Sequence, residues 1–168
     1  MTDTPGIPGL ATRRAALSLL DAVLRRGQPL EAALASATRV LTKSEDRAMA
    51  HAIASETLRR LPDLDDLIDT ATRLRLADDA KARMVIRIAL VQALVLKTPE
   101  HAAVSTALPL VEGGPRRLVH GVLGTLLRQA PELPEPPSLL PQVAERWAAA
   151  WGDDFIPLAQ TALATPPA

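Results

Sequence analysis

Cysteine is absent from the 168 residues, which excludes disulfides, a thiolate nucleophile and cysteine-based zinc sites. Tyrosine is also absent and there is a single phenylalanine, so the aromatic platforms usual for stacking on single-stranded RNA are missing. No stretch alternates apolar and polar residues with period two; the expected fold class is all-α. There is no GxGxxG or P-loop sequence, since Gly113–Gly114 reads as a helix boundary. No nucleophile is accompanied by a base and an orienting group. His51, His101 and His120 lie far apart, without HExxH or paired-ligand spacing. These absences predict no catalytic residue, no metal, no cofactor and no small-molecule substrate. The N-terminus MTDTPGIPGL lacks a basic start and an apolar signal core. No apolar run reaches the ~20 residues of a membrane span. A cytoplasmic protein with no membrane partner is expected.

What is present is a chain with 48% hydrophobic residues, enough for one proper core. Its centre is DDAKARMVIRIALVQALVLK, Asp78 to Lys97, where only Arg87 and Gln92 interrupt the apolar residues from Met84 to Leu96. A helix that is apolar all round is buried within a larger body. Around it, periodicity and punctuation predict six further helices. The first covers Thr12 to Arg26, with Thr12 as cap and Gly27 as terminator. A short second one runs from Gln28–Pro29 to Thr38. Thr42 with Glu45 forms a capping box for the third, which reaches about Leu61. The fourth follows Pro62 and carries Leu64, Leu67, Ile68, Ala71 and Leu74 on one face. Its Asp63, Asp65, Asp66 and Asp69 are explained more simply by helix-start electrostatics than by a cation site. After the central helix, Thr98–Pro99–Glu100 opens another, shortened or kinked by Pro109. Gly113–Gly114–Pro115 opens the last of the seven, ending at Gln129.

The sequence then becomes proline-rich and acidic, APELPEPPSLLP, which reads as an extended linker over 131–141. Beyond it a helix from Gln142 to Trp151 holds both tryptophans, Trp147 and Trp151, and a further helix starts at Asp153. The expected organisation is a disordered 1–11, a helical domain over 12–130, the linker, and connector helices over 142–168. The final ATPPA closes no element, so continuation into a longer protein is expected.

The net charge of zero conceals an arrangement. Of the 19 basic residues, 16 are arginine and three lysine; residues 113–130 carry +3 and 131–168 carry −4. Arginine suits phosphate recognition, although GC-rich coding also enriches it. Two helical faces bear arginines. One comprises Arg14, Ser18, Asp21 and Arg25; the other Arg117, Gly121, Gly124 and Arg128, with His120 alongside. Each glycine inside a helix costs ~1 kcal/mol relative to alanine. Either a neighbouring helix packs there, the commoner cause, or a phosphate backbone lies along the face.

Several blocks, in order, resemble the NusB-like helical domain. They are Thr12–Arg13–Arg14–Ala15–Ala16–Leu17, Leu20–Asp21–Ala22–Val23–Leu24, Asp46–Arg47–Ala48, Leu58–Arg59–Arg60–Leu61, Ile88–Ala89–Leu90–Val91–Gln92–Ala93–Leu94, Pro99–Glu100–His101–Ala102–Ala103–Val104 and Leu118–Val119–His120–Gly121–Val122–Leu123. The version resembled most is the N-terminal one of bacterial ribosomal RNA cytosine-5 methyltransferases of the RsmB (Sun/Fmu) type. The resemblance implies a bundle of about seven helices with a C-terminal helical extension. It implies a domain that positions 16S ribosomal RNA for a methyltransferase catalytic domain in cis. That chemistry uses cysteine and a cofactor loop, so this chain is expected not to be an enzyme by itself. The family usually has Asn at positions 105 and 120, Tyr at 91 and Arg at 124, where this chain has Ser, His, Val and Gly.

The expected RNA contacts are Arg13, Arg14, Arg25 and Arg26 on the first helix and Arg116, Arg117, His120 and Arg128 on the seventh. A different class of reading is a protein-docking module with little RNA affinity, using Gly121, Gly124, Trp147 and Trp151. A stand-alone transcription antitermination factor is a third.

Overall fold

A computed structural model of the chain describes residues 6–164. Of the stretch expected to be disordered, 1–11, residues 1–5 lie outside that range, while Gly9 caps α1 and Leu10 and Ala11 are its first residues, so order begins earlier than expected. Among the described residues there are helices and irregular segments and no strand. The helices are α1 (Leu10–Leu24), α2 (Leu30–Ala37), α3 (Ser44–Arg59), α4 (Leu61–Thr70), α5 (Lys81–Leu94), α6 (Glu100–Ala107), α7 (Gly113–Arg128), α8 (Pro141–Trp151) and α9 (Phe155–Leu163). Pro109 shortens α6 as expected: a 3-10 turn, Leu108–Leu110, follows it. No helix among the described residues is long and apolar enough to cross a membrane.

α5 is the axis. Every residue from Ala82 to Gln92 is buried. Met84 and Ile88 join Leu19, Leu20, Ile53 and Ala54 of α1 and α3 in one cluster. Val85, Ile86, Ala89 and Leu90 join Leu64, Ile68, Val119, Leu123 and Leu126 of α4 and α7 in the other. Two groups of helices therefore press on opposite sides of one rod, which is why its apolar residues cover every direction. Truncating one of these buried aliphatic side chains to alanine costs about 2–5 kcal/mol.

The polar residues of α5 are satisfied from α1, α4 and the α4–α5 loop. Arg87, 1% exposed, grips Asp65 with two parallel bonds, Nε to Oδ1 at 2.8 Å and Nη2 to Oδ2 at 2.9 Å. Its Nη1 donates to the Asp78 carbonyl at 3.0 Å. One turn earlier, Arg83 donates through Nη1 and Nη2 to Asp69 Oδ1 and through Nε to the Leu76 carbonyl. Gln92 accepts from Arg13 Nε at 2.6 Å and donates to the Ile88 carbonyl.

This network corrects two expectations. Asp65 and Asp69 serve as counter-ions of buried guanidinium groups, where helix-start electrostatics alone is the expectation from sequence. The fourth helix also stops at Thr70, short of Leu74. The loop carbonyls of Leu76 and Asp78 face Arg83 and Arg87, and the Thr70 and Thr72 hydroxyls take the Leu67 and Ile68 carbonyls. At the other ends, α1 begins at Leu10 with Thr12 buried inside it. The Thr42–Glu45 capping box does not form: Lys43 is the N-cap, and Arg47 Nε holds the Leu41 carbonyl instead.

Removing one partner of a buried ion pair strands the other, so Asp65→Ala should lower the unfolding free energy by about 3 kcal/mol or more. Asp66→Ala, at an exposed position of the same turn, should change it by less than ~0.5 kcal/mol. Urea unfolding of the two variants side by side measures the difference; equal effects would contradict the ion-pair account.

Candidate nucleic-acid interface

α7 starts where Gly113 takes a left-handed conformation, φ +59°, and Pro115 presets the first turn. Its heptad-like spacing buries Val119, Val122, Leu123, Leu126 and Leu127. The opposite side then has to carry Arg116, Arg117, His120, Gly121, Gly124 and Arg128, and all six are exposed. A Cβ built on Gly121 or Gly124 meets nothing within 4 Å. No helix of the described residues therefore packs on this face, and the commoner explanation for the glycines does not hold within this fold. The face is open along its length. From Arg117 to Arg128 it runs for about 16 Å at 1.5 Å per residue.

Its charge has one sign. No acidic residue lies between Glu112 and Glu132, and Arg116, Arg117 and Arg128 form no salt bridge among the described residues. Near its start, Arg116, Arg117 and His120 line a shallow recess of about 350 Å³ with Leu108.

α1 is different. Arg13 does not face solvent freely: its Nε is bound to Gln92, and burial pushes its guanidinium below the usual arginine range, with Asp46 opposing the shift. It ties α1 to α5 and is not placed as a phosphate contact. Arg25 and Arg26 both reach Asp21, at 3.1 Å and 3.4 Å, and Arg25 also approaches Asp79. The stripe of Arg14, Ser18, Asp21 and Arg25 forms one wall of a groove of about 870 Å³. Its remaining walls are the Asp79–Met84 end of α5 and the Pro109–Pro115 corner. Arg14, Arg25 and Lys81 are there balanced by Asp21, Asp79 and Glu112, so the groove presents no net positive field.

The two tryptophans sit apart from both faces. α8 and α9 touch each other and the turn between them, and no residue of either is buried. Trp147 is half-buried and Trp151 exposed, beside exposed Ile156 and Leu158.

Arg60, Arg83 and Arg87 are structural charges that the sequence reading did not single out for that role. A signal existed for two of them. Arginines at i and i+4 inside an apolar run, preceded by aspartates at i and i+4 on an amphipathic helix, are the pattern of a cross-helix ion-pair ladder. Among the described residues no cluster of three or more His, Cys, Asp or Glu is arranged to hold a metal ion.

Comparison with known proteins adds a second line. The profile of the NusB family matches residues 10–128, the stretch from the start of α1 to the end of α7. The chain is also similar to a protein named ribosomal RNA small subunit methyltransferase B in Xanthomonas campestris pv. campestris. The two are 32% identical over 123 residues, covering 73% of this chain and 28% of that protein. The protein of the same name in Xylella fastidiosa is 32% identical over 151 residues, 86% of this chain and 35% of the relative. The chain thus spans about a third of the length of these relatives.

With open space at both glycines, Gly121→Ala and Gly124→Ala should each stabilise α7, by about 0.5–1 kcal/mol. Thermal or urea unfolding reads this directly; a loss of stability would reveal a neighbour packed on the face.

Proposed function

The chain belongs to the NusB family, and from that premise we propose that it is the non-catalytic RNA-binding region of a ribosomal RNA cytosine-5 methyltransferase, working in the cytoplasm. One observation supports this above the rest. The exposed arginines of α7, Arg116, Arg117 and Arg128, stand on an open glycine-floored face with no carboxylate to neutralise them. Phosphate backbones are bound by such unpaired guanidinium groups, and release of counterions makes the affinity fall with salt. The two relatives are named for methylation of small-subunit ribosomal RNA, and that class of RNA is the one proposed here.

In this reading α7 carries the principal contacts, with His120 and Arg14 flanking. Arg25 and Arg26 contribute less, because Asp21 competes for them. The contacts are to backbone and shape, since the chain has almost no aromatic side chains to stack on bases. Residues 12–130 form the NusB-like unit, 131–141 the connection, and 142–168 the start of a path towards a catalytic domain in cis. That domain would supply the cysteine and cofactor chemistry, and this region needs neither cofactor nor metal.

A second reading rests on Trp151, Ile156 and Leu158, exposed together on α8–α9. They suit a protein partner, the methyltransferase domain first among them. The two readings coexist if RNA uses α7 and protein uses α8–α9.

A titration separates them. Small-subunit ribosomal RNA should bind with an affinity that falls steeply between low and moderate salt. Arg116→Ala/Arg117→Ala should weaken it about tenfold or more and flatten the salt slope by about 1.5–2. Arg25→Ala/Arg26→Ala should weaken it by less than about threefold, at ~0.6 kcal/mol per threefold change. No RNA binding, or affinity indifferent to both salt and the α7 arginines, would leave the docking reading alone.

A further inference from the structure

After α7 the chain doubles back over the corner between α3 and α4. Leu133 packs against the larger core cluster and Pro137 is buried. Arg60 at the end of α3 donates through Nη1 to the Pro134 carbonyl at 3.0 Å and through Nη2 to Glu135 Oε2 at 2.5 Å. Asp63 in the first turn of α4 accepts the Ser138 N–H at 3.0 Å. Both Arg60 and Asp63 are buried, and neither belongs to the ion network of α5. Two buried charges, some 75 residues away in sequence, therefore hold an otherwise irregular segment.

Arg60 has a second carboxylate within reach. Glu56, one turn earlier on α3, holds Arg59 through Oε1 and points Oε2 at Arg60 Nε across 4.0 Å. That is beyond hydrogen-bond distance, and neither atom has a hydrogen-bond partner among the described residues. The guanidinium thus lies between an exposed carboxylate on the crossing segment and a buried one on its own helix.

We propose that residues 131–140 form a releasable strap, and that Arg60 is a two-position catch that holds Glu135 and Pro134 in the closed state and turns to Glu56 in the open one. An unpaired buried guanidinium is strongly disfavoured, and without Glu56 it would lock the strap down. With Glu56 beside it, closing the 4.0 Å gap replaces part of what opening removes. Asp63 has no such substitute, so the Ser138 bond sets the remaining resistance to opening. The strap matters because α8 begins at Pro141, three residues beyond Ser138, and the helix that α8 chiefly touches is α9. Closed, it fixes where α8 leaves the bundle; open, it frees α8–α9 to reorient as a unit. The inference does not depend on the RNA reading.

Amide hydrogen exchange on the full chain tests it, comparing peptides over 131–140 with peptides over Met84–Gln92 of α5. Arg60→Ala should speed exchange in the strap tenfold or more while α5 changes less than twofold. Asp63→Ala removes the acceptor of the Ser138 N–H while keeping that amide as a reporter, and Glu135→Gln removes only the exposed carboxylate. Each should speed strap exchange at least threefold in a bundle that unfolds normally. Glu56→Gln removes the alternative partner and should slow strap opening at least threefold. Strap exchange unchanged in both Asp63→Ala and Glu135→Gln would overturn the strap, even if the Arg60 and Glu56 variants fail to fold. Faster strap exchange in a folded Glu56→Gln variant would overturn the two-position catch.

Discussion

Two guanidinium groups stand one turn apart on the helix at the centre of the bundle, both out of reach of water, and the packing around α5 has to answer them. Taking such charges out of water is costly, and geometry has to make up for it. Here it does: Arg87 meets Asp65 in a two-bonded fork, Arg83 meets Asp69, and both also take loop carbonyls. The consequences spread outward. α4 is held against α5 by charge as well as by Leu64 and Ile68, and the 71–80 segment is drawn out of helix so that its carbonyls face inward. The apolar contacts decide that the bundle is stable. The ion ladder decides how α4 sits on α5, since a slip by one residue would break every bond in it.

The arginines of the chain divide into classes by what surrounds them. Arg13, Arg60, Arg83 and Arg87 face inward and tie elements together. Arg25, Arg26, Arg59 and Arg75 are matched to nearby carboxylates. Beside Asp78 and Asp69, Arg75 is held even more firmly in its charged form. Arg116, Arg117 and Arg128 have no such neighbours. A chain with zero net charge can therefore present a local cationic face, because 11 of its 19 acidic residues lie on α4, in the α4–α5 loop or beyond Ala130, and none lies within α7. The same partition separates the balanced groove beside α1 from the face of α7, although both are arginine stripes in the sequence.

The match to the NusB family ends at residue 128, where α7 ends, while similarity to the Xylella fastidiosa methyltransferase covers 151 residues. The strap lies just past this boundary. It is composed like a linker, with proline and acid, yet buried groups of α3 and α4 hold it. Composition describes the segment's intrinsic stiffness; the partners it finds determine its position.

The residue string by itself determined the all-α class, the existence of nearly every helix, the burial of the 84–92 run and the family. These follow from periodicity, caps and prolines, which act over a few residues and are visible locally. Element ends were less legible: α4 stops early and the Thr42–Glu45 box stays open, because side chains from other helices claim the backbone groups involved. The candidate face was half legible. Alternation along α7 puts Arg117, Gly121, Gly124 and Arg128 on one side, but whether a neighbour fills that side depends on where the other helices go. Likewise nothing adjacent to Arg13 announces Gln92, 79 residues away, and nothing near Arg60 announces Glu135. Tertiary structure alone decided which guanidinium groups are free, since charge pairing acts through space between residues that the chain brings together only on folding.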